Sequence, residues 1–209
     1  MRILIVEPHF DDAWVNIGGY ILLHPKDEFT ILTLSHYPTN NTAPHLQKYV
    51  PNVITEVHLD YKSLGFEDAH MKALEKQYPR LDHPQLFLML NELKNFNDIK
   101  KKISNLAIGQ DLVFWPLGMK HPQHLVMHHI NPFPAPNYYR EFPYFFYADQ
   151  RSSGVSLTKG KKEVAIDIIR VLSMKIELFQ IAYQEQQFLL DLSVGGVHLS
   201  KLSNEVFWY

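Results

Sequence analysis

The sequence contains no cysteine, and this absence excludes two kinds of structure. Without thiols the chain forms no disulfide framework and no thiolate metal site, so any metal ion must be held by histidine and carboxylate side chains. The sequence also lacks an excess of basic residues, because 20 Lys and Arg stand against 22 Asp and Glu. We therefore do not expect nucleic acid to be a partner.

Long apolar runs are also missing. No run approaches the roughly 20 residues that a membrane-spanning helix needs, so we expect no membrane span. The first apolar run ends at Glu7-Pro8 and is too short for the apolar core of a signal peptide. We expect a cytoplasmic protein. Its 209 residues suit one domain with a sizeable core, taken as residues 1–209.

The pattern of apolar segments alternates between strands and helices. Residues 2–7 form a buried strand, a helix runs to about Leu23, and residues 29–34 form a second strand, which together predict a right-handed β-α-β unit. Further elements are predicted as strands at 53–59, 110–116 and 144–147, helices at 84–106 and 163–190, a proline-rich loop or lid at 131–143, and an aromatic tail at 205–209 that packs on the body. This alternation predicts an α/β fold built on a parallel sheet.

Two groups of polar residues follow predicted strands. His9, Asp11 and Asp12 come directly after the first strand, and His121 and His124 come after the strand at 110–116. His9 and Asp12 are three residues apart, which allows both to bind one metal ion. In open parallel sheets ligands bind outside the carboxyl ends of the strands, so we expect the two groups to meet.

This set of residues is typical of a catalytic metal site. A His, an Asp and a second His on one ion leave open positions, as in catalytic zinc centres. A metal-bound water has its pKa lowered to about 7, so Asp11 could take its proton. His121 could stabilise the developing oxyanion or protonate a leaving nitrogen. Zinc is the expected metal, although such a site also accepts iron or other divalent ions.

Other interpretations of these residues remain open. Asp11 and Asp12 could be a helix N-cap and a first-turn acid that counters the helix dipole. With 12 histidines in the chain, two will lie close together by chance. His124 and His128, at i, i+4 spacing, could share a helix face and pair on a metal. A nicotinamide-binding protein is less favoured, because no Gly-x-Gly-x-x-Gly follows the first strand.

Several motifs resemble those of a known family. Residues 6–13, Gly18-Gly19 and the strand at 29–34 resemble the opening of the PIG-L/LmbE-like deacetylases. Leu64-Gly65-Phe66-Glu67-Asp68 resembles the Leu-Gly-Phe-x-Asp element of that family. His121-Pro122-Gln123-His124 resembles its His-Pro-Asp-His motif. The resemblance spans most of the chain and is specific at the two metal motifs.

The resemblance implies a zinc-dependent N-deacetylase with a Rossmann-like fold, a mostly parallel sheet flanked by helices. Its substrate would be a small-molecule amino-sugar conjugate of the N-acetylglucosamine type. By position, the resemblance makes His9, Asp12 and His124 the metal ligands, Asp11 the general base, and His121 the acid or electrostatic partner. Whether the chain forms a homo-oligomer is left open.

The sequence also departs from the pattern of that family. Phe10 replaces a proline, and Ala13-Trp14 stands where many members have an acidic residue. Gln123 replaces an aspartate, and residues 35–51 hold no match to the Arg-x-x-Glu helix of the family. These departures motivate a second hypothesis, in which the chain is a divergent member that binds a ligand or partner protein without turnover.

Overall fold

The computed structural model describes residues 1–9, 11–34, 50–58, 96–118, 124, 127–128, 130–142, 157–183, 190, 193–194, 197–198 and 202–209. Within them the strands are β1 (Arg2–Glu7), β2 (Glu28–Thr33), β3 (Val53–His58), β4 (Leu112–Pro116), β5 (Asn137–Tyr139), β6 (Glu163–Asp167), β7 (Ser193–Val194), β8 (Val197–His198) and β9 (Asn204–Trp208). The helices are α1 (Asp12–Leu23), α2 (Phe96–Ala107) and α3 (Leu172–Ala182). The motif at 64–68, the first part of the predicted helix at 84–106 and the predicted strand at 144–147 lie outside the described residues. The domain extent of 1–209 stays a prediction.

In the part of the chain that the structure describes, seven strands form one mostly parallel sheet in the order β3-β2-β1-β4-β5-β9-β6. The strands from β3 to β5 are parallel to one another, whereas β9 pairs antiparallel with both β5 and β6. The short strands β7 and β8 form a separate antiparallel pair. The α/β class and the mostly parallel sheet predicted from the sequence are therefore confirmed. Among the described helices, none combines the length and the apolarity needed to cross a membrane.

Strand β1 lies in the middle of the parallel part of the sheet, between β2 and β4. Its residues Ile3 to Val6 are completely buried. A continuous apolar run suits this position because both faces of a central parallel strand are covered. The helix that follows, α1, is also buried over most of its length and packs against α3.

Helix α1 is broken at Ile17, where the backbone leaves the helical region with φ −135° and ψ 15°. A break of this kind frees carbonyl groups that would otherwise accept hydrogen bonds within the helix. The buried Lys175 ammonium donates to the carbonyl oxygen of Val15 at 2.7 Å and to Glu205 Oε1 at 2.8 Å. A cation at the end of a helical segment also interacts favourably with its dipole.

The Glu205 carboxylate binds the other side of the break. It accepts hydrogen bonds from the backbone N–H groups of Gly19 at 2.8 Å and Tyr20 at 2.7 Å. Glu205 is buried with Lys175, so the ion pair is shielded from water. One ion pair from α3 and β9 thus satisfies backbone groups on both halves of α1.

Gly19 also allows α1 to approach the chain that follows β6. A Cβ atom added at this position would lie 2.6 Å from a side-chain carbon of Ile168. This contact is shorter than real Cβ atoms make, so any larger residue would push the helix away.

The predicted helix at 163–190 is wrong over its first part. Residues Glu163–Asp167 form β6, and the helix begins only at Leu172. In β6 the residues alternate between exposed and half-buried side chains, with Val164 and Ile166 on the inner face. This alternation of every second residue is typical of a strand. The helical spacing predicted from the sequence included Ile169, which is 56% exposed and so does not lie on a buried helix face.

The segment predicted as a loop at 131–143 contains the short strand β5, which pairs with β4 and β9. Pro132, Pro134 and Pro136 precede this strand, and Tyr138 and Tyr139 within it are buried. The prediction that the aromatic tail packs on the body is confirmed, because β9 is inserted between β5 and β6. Phe207 is fully buried there.

We expect Lys175→Met to lower the free energy of unfolding by about 3–5 kcal/mol, because it leaves the Glu205 carboxylate buried without its cation. Lys101→Met, on the exposed face of α2, is the matched control and should change stability by no more than about 0.5 kcal/mol. Urea unfolding of the two variants measures both values. Equal effects of the two substitutions would contradict the role given to the ion pair.

Candidate metal centre

The pairing of β1 with β4 brings the two groups of polar residues to one edge of the sheet. The strands are parallel, with Ile3 opposite Leu112 and Ile5 opposite Phe114. Their carboxyl ends therefore point the same way. His9 and Asp12 follow β1, and His124 follows β4, so the structure brings these three side chains together.

Three ligand atoms form a small triangle. His9 Nδ1 lies 3.0 Å from Asp12 Oδ2 and 3.0 Å from His124 Nε2, and the third side, from His124 Nε2 to Asp12 Oδ2, is 3.4 Å. In a tetrahedral zinc site, with bonds of about 2.0–2.1 Å, neighbouring ligand atoms are about 3.3 Å apart. The observed spacing therefore fits one small divalent ion.

The hydrogen bond made by the outer nitrogen of the His124 ring supports the same conclusion. Its Nδ1 lies 2.5 Å from Glu141 Oε1, and Glu141 Oε2 accepts the backbone N–H of Gly118 at 2.5 Å. Because the carboxylate accepts at both oxygens, the proton of the neutral imidazole belongs on Nδ1. Nε2 then presents a lone pair to Asp12, which is the form that binds a metal.

Glu141 is fully buried, as is His124. Burial raises the pKa of the Glu141 carboxyl, while the neighbouring His124 ring opposes that change. A carboxylate that holds the outer nitrogen of a metal-binding histidine fixes the ring orientation and increases the basicity of the ligand. Glu141 is therefore suited to orient His124 for metal binding.

Asp12 is held in place by the residue three positions before it. The backbone N–H of His9 donates to Asp12 Oδ2 at 2.8 Å, and the His9 ring lies against the same oxygen. Burial by itself would raise the pKa of Asp12, but the electrostatic influence of the neighbouring His124 ring and the hydrogen bonds from His9 outweigh it, so the pKa lies below its ordinary value. Asp12 is thus suited to bind a cation as a carboxylate.

Asp11 lies at the N-cap position of α1, but its side chain makes no capping hydrogen bond. Burial, and after it the charge of Asp12, raise the pKa of Asp11 to about 7, with His9 opposing the change. Two adjacent buried carboxyls thus differ in proton affinity, and the more basic one is Asp11.

The capping role that the sequence suggested for Asp11 or Asp12 is taken by Glu7. The buried Glu7 carboxylate accepts the backbone N–H of Ala13 at 2.6 Å and the hydroxyl of Thr33 at 2.5 Å. An anion at the start of a helix also interacts favourably with the helix dipole. Because Glu7 caps the helix, the Asp11 carboxyl is not needed for that purpose.

The remaining predicted residues divide into two cases. His121 lies outside the described residues. The alternative pairing of His124 with His128 is not formed, because His128 Nε2 donates to the carbonyl oxygen of Gly118 at 2.7 Å. That nitrogen carries a proton and is not free to bind a metal.

Sequence analysis missed Glu7 and Glu141. Glu7 ends a strand that was predicted as buried, and Glu141 lies between buried tyrosines and Phe142. A carboxylate in such apolar surroundings must find a partner. A carboxylate within each of these apolar segments therefore indicated a hydrogen-bonded role, but the sequence could not show which groups it binds.

Comparison with known proteins gives matches at the level of structure. No protein-family model matches the sequence, and no curated protein matches it. The zinc-inhibited form of teicoplanin deacetylase Orf2 is 16% identical with a TM-score of 0.55, covering 100% of this chain and 97% of that one. A40926 pseudoaglycone deacetylase Dbv21 is 18% identical with a TM-score of 0.51, covering 99% and 96%. N,N'-diacetylchitobiose deacetylase from Pyrococcus horikoshii is 14% identical with a TM-score of 0.51, covering 91% and 72%.

These solved structures are deacetylases of the LmbE/PIG-L type. The chain has their fold over almost its whole length. The resemblance drawn from the motifs is therefore confirmed at the level of the fold.

We expect Glu141→Gln to weaken zinc binding by about 10–100-fold. A glutamine has one acceptor oxygen and cannot accept from both Gly118 and His124, so the imidazole proton would shift toward the metal-facing nitrogen. A zinc titration against a competing chelator dye measures the affinity. The control is Glu163→Gln, since the exposed Glu163 also accepts a ring N–H, from Trp208 at 3.1 Å. Equal zinc affinities of wild type and Glu141→Gln would disprove the assigned proton position.

Proposed function

We propose that the chain is a metal-dependent N-deacetylase, a single domain over residues 1–209. The observation that carries the proposal is the triangle of His9, Asp12 and His124, with the basic carboxylate of Asp11 beside it. It lies outside the carboxyl ends of parallel strands, where open α/β sheets bind their ligands. The fold shared with solved deacetylases supports the same reaction class.

The proposed substrate is an N-acetylglucosamine-type amino-sugar conjugate. Support comes from the motif resemblance and from the names of proteins with this fold. These include an N,N'-diacetylchitobiose deacetylase, an A40926 pseudoaglycone deacetylase and a deacetylase of the teicoplanin biosynthesis pathway. The partner would accordingly be a small molecule. A cytoplasmic location stays a prediction from the sequence, as does the absence of nucleic-acid binding.

The ligands in this proposal are His9, Asp12 and His124, and zinc is the proposed ion. Two nitrogen donors and one carboxylate oxygen suit zinc, and other divalent ions could be accepted by the same set. When bound, the ion would supply Lewis-acid chemistry: it lowers the pKa of a water and polarises a carbonyl. Glu141 would hold His124 in the orientation that this binding needs.

Asp11 would act as the general base. Its carboxylate would take a proton from the attacking water, whose oxygen forms a bond to the amide carbonyl carbon. A base with a pKa near the working pH is efficient, and the raised pKa of Asp11 is in that range. A bound cation would favour the ionised carboxylate needed for this step.

Breaking the C–N bond requires a proton on the leaving nitrogen. Following the motif resemblance, we assign the donation of this proton to His121. Asp11, once it has taken the proton from water, could donate it instead. The products are acetate and the free amine, so one water is consumed for each amide bond that breaks.

We expect Asp11→Asn to reduce deacetylation by about 10²–10⁴-fold, the usual contribution of general acid–base catalysis. The variant should still bind zinc, because Asp11 is not among the proposed ligands. Release of free amine from N-acetylglucosamine conjugates measures the activity, and elemental analysis measures the zinc content.

The control for this experiment is Asp98→Asn, since Asp98 is an exposed acid in the first turn of α2. It should keep both activity and zinc. If Asp11→Asn deacetylates at the wild-type rate, Asp11 is not the base. If zinc-loaded wild type releases no amine from any N-acetylated sugar, the hypothesis of a non-catalytic binding protein replaces that of an enzyme.

A further inference from the structure

The helical segment that carries Asp12 is short and is separated from the rest of its helix. The break at Ile17 leaves residues 12–16 as little more than one helical turn. A segment of this length has little stability of its own. Its position must therefore come from contacts with other parts of the chain.

Asn16 makes two hydrogen bonds at the end of this segment, one to a distant part of the chain and one to the start of the segment itself. Its Oδ1 accepts the backbone N–H of Phe142 at 2.5 Å, and its Nδ2 donates to the carbonyl oxygen of Asp12 at 2.7 Å. The N–H of Phe142 can only donate, so the orientation of the amide is fixed. Asn16 is buried, with 5% of its surface exposed, and its hydrogen bonds are shielded from competing water.

The contact with Phe142 joins the two ligand groups. Phe142 is the chain neighbour of Glu141, whose carboxylate holds the imidazole of His124. Asn16 therefore connects the backbone of one ligand, Asp12, to the segment that orients the other ligand, His124. Asn16 and Phe142 are 126 residues apart in sequence, so no local structure fixes their distance.

We propose that Asn16 is a positioning residue that sets the separation of the two halves of the metal centre. This inference rests on the proposed metal-dependent function. Asn16 touches neither metal nor substrate in this account. It holds residues 12–16 against the Glu141–Phe142 segment, so that Asp12 and His124 stay at the spacing one ion needs. A metal bound across that gap and the Asn16–Phe142 hydrogen bond must then stabilise each other.

The test variant is Asn16→Leu, which keeps the number of side-chain heavy atoms and removes both hydrogen bonds. The matched control is Asn52→Leu. The Asn52 side chain also makes two hydrogen bonds to backbone groups, donating to the carbonyl oxygens of His24 at 3.2 Å and Asp27 at 3.1 Å. Among the described residues, neither bond involves a ligand group. Both variants lose polar contacts and are expected to unfold at lower temperature than wild type.

Zinc affinity separates a positioning role from a purely structural one. We expect Asn16→Leu to bind zinc at least tenfold more weakly than wild type, and Asn52→Leu to bind it within about twofold. Melting temperatures of the metal-free proteins show whether the two substitutions are comparable in stability. If Asn16→Leu binds zinc as tightly as Asn52→Leu, the inference is wrong while the proposed function stands. If wild type itself binds no zinc or other divalent ion, both are wrong.

Hydrogen exchange on the wild-type protein provides a second test that does not require the variant to fold. Because the metal and the hydrogen bond stabilise each other, zinc should slow exchange of the Phe142 amide by at least tenfold. The control amide is that of Phe29, which donates to the carbonyl oxygen of Asn52 at 2.8 Å. Its exchange should slow less. Equal slowing at both amides would show that zinc acts only on global stability and would overturn the inference.

Discussion

The parallel pairing of β1 with β4 is the constraint on which the candidate centre depends. Parallel strands present their carboxyl ends at one edge of the sheet. This pairing therefore places His124 Nε2 3.0 Å from His9 Nδ1 and 3.4 Å from Asp12 Oδ2, although His124 is distant from both in sequence. Neighbouring ligands of one zinc ion are about as far apart. The pairing is stabilised by the burial of β1, whose aliphatic residues are covered on both faces of the sheet. A change in the register of β1 against β4 would therefore separate the ligands, even with every ligand residue present.

Buried carboxylates hold the backbone around this edge of the sheet and along α1. Glu7 binds the start of α1, Glu205 binds the second half of that helix beyond its break, and Glu141 binds Gly118 and His124. Burying a charge is costly unless each oxygen has a partner, and in these three residues both carboxylate oxygens accept hydrogen bonds. The same chemistry that satisfies the backbone thus orders the segments that carry Asp11, Asp12 and His124.

The sequence predicted the parts of the fold that follow from local pattern. Strand β1, helix α1 and the position of the metal-binding motifs after buried strands could all be read from apolar runs and spacing. Strand β6 could not, because Ile166, Ile169 and Leu172 fit a helical spacing, and only the pairing of β6 with β9 shows that Ile166 belongs to a strand. Glu141 and Asn16 were missed for a related reason. Their roles depend on contacts between segments distant in sequence, which no local pattern contains.

The central claim is that two sequence-distant motifs form one metal centre, and anomalous X-ray diffraction at the zinc absorption edge tests it most directly. Crystals of the protein grown with zinc should show an anomalous peak about 2.0–2.2 Å from His9 Nδ1, Asp12 Oδ2 and His124 Nε2 together. The same experiment on His124→Ala should show that peak lost or strongly reduced. A zinc peak bound to His9 and Asp12 but remote from His124, or no peak at this edge of the sheet, would contradict the account.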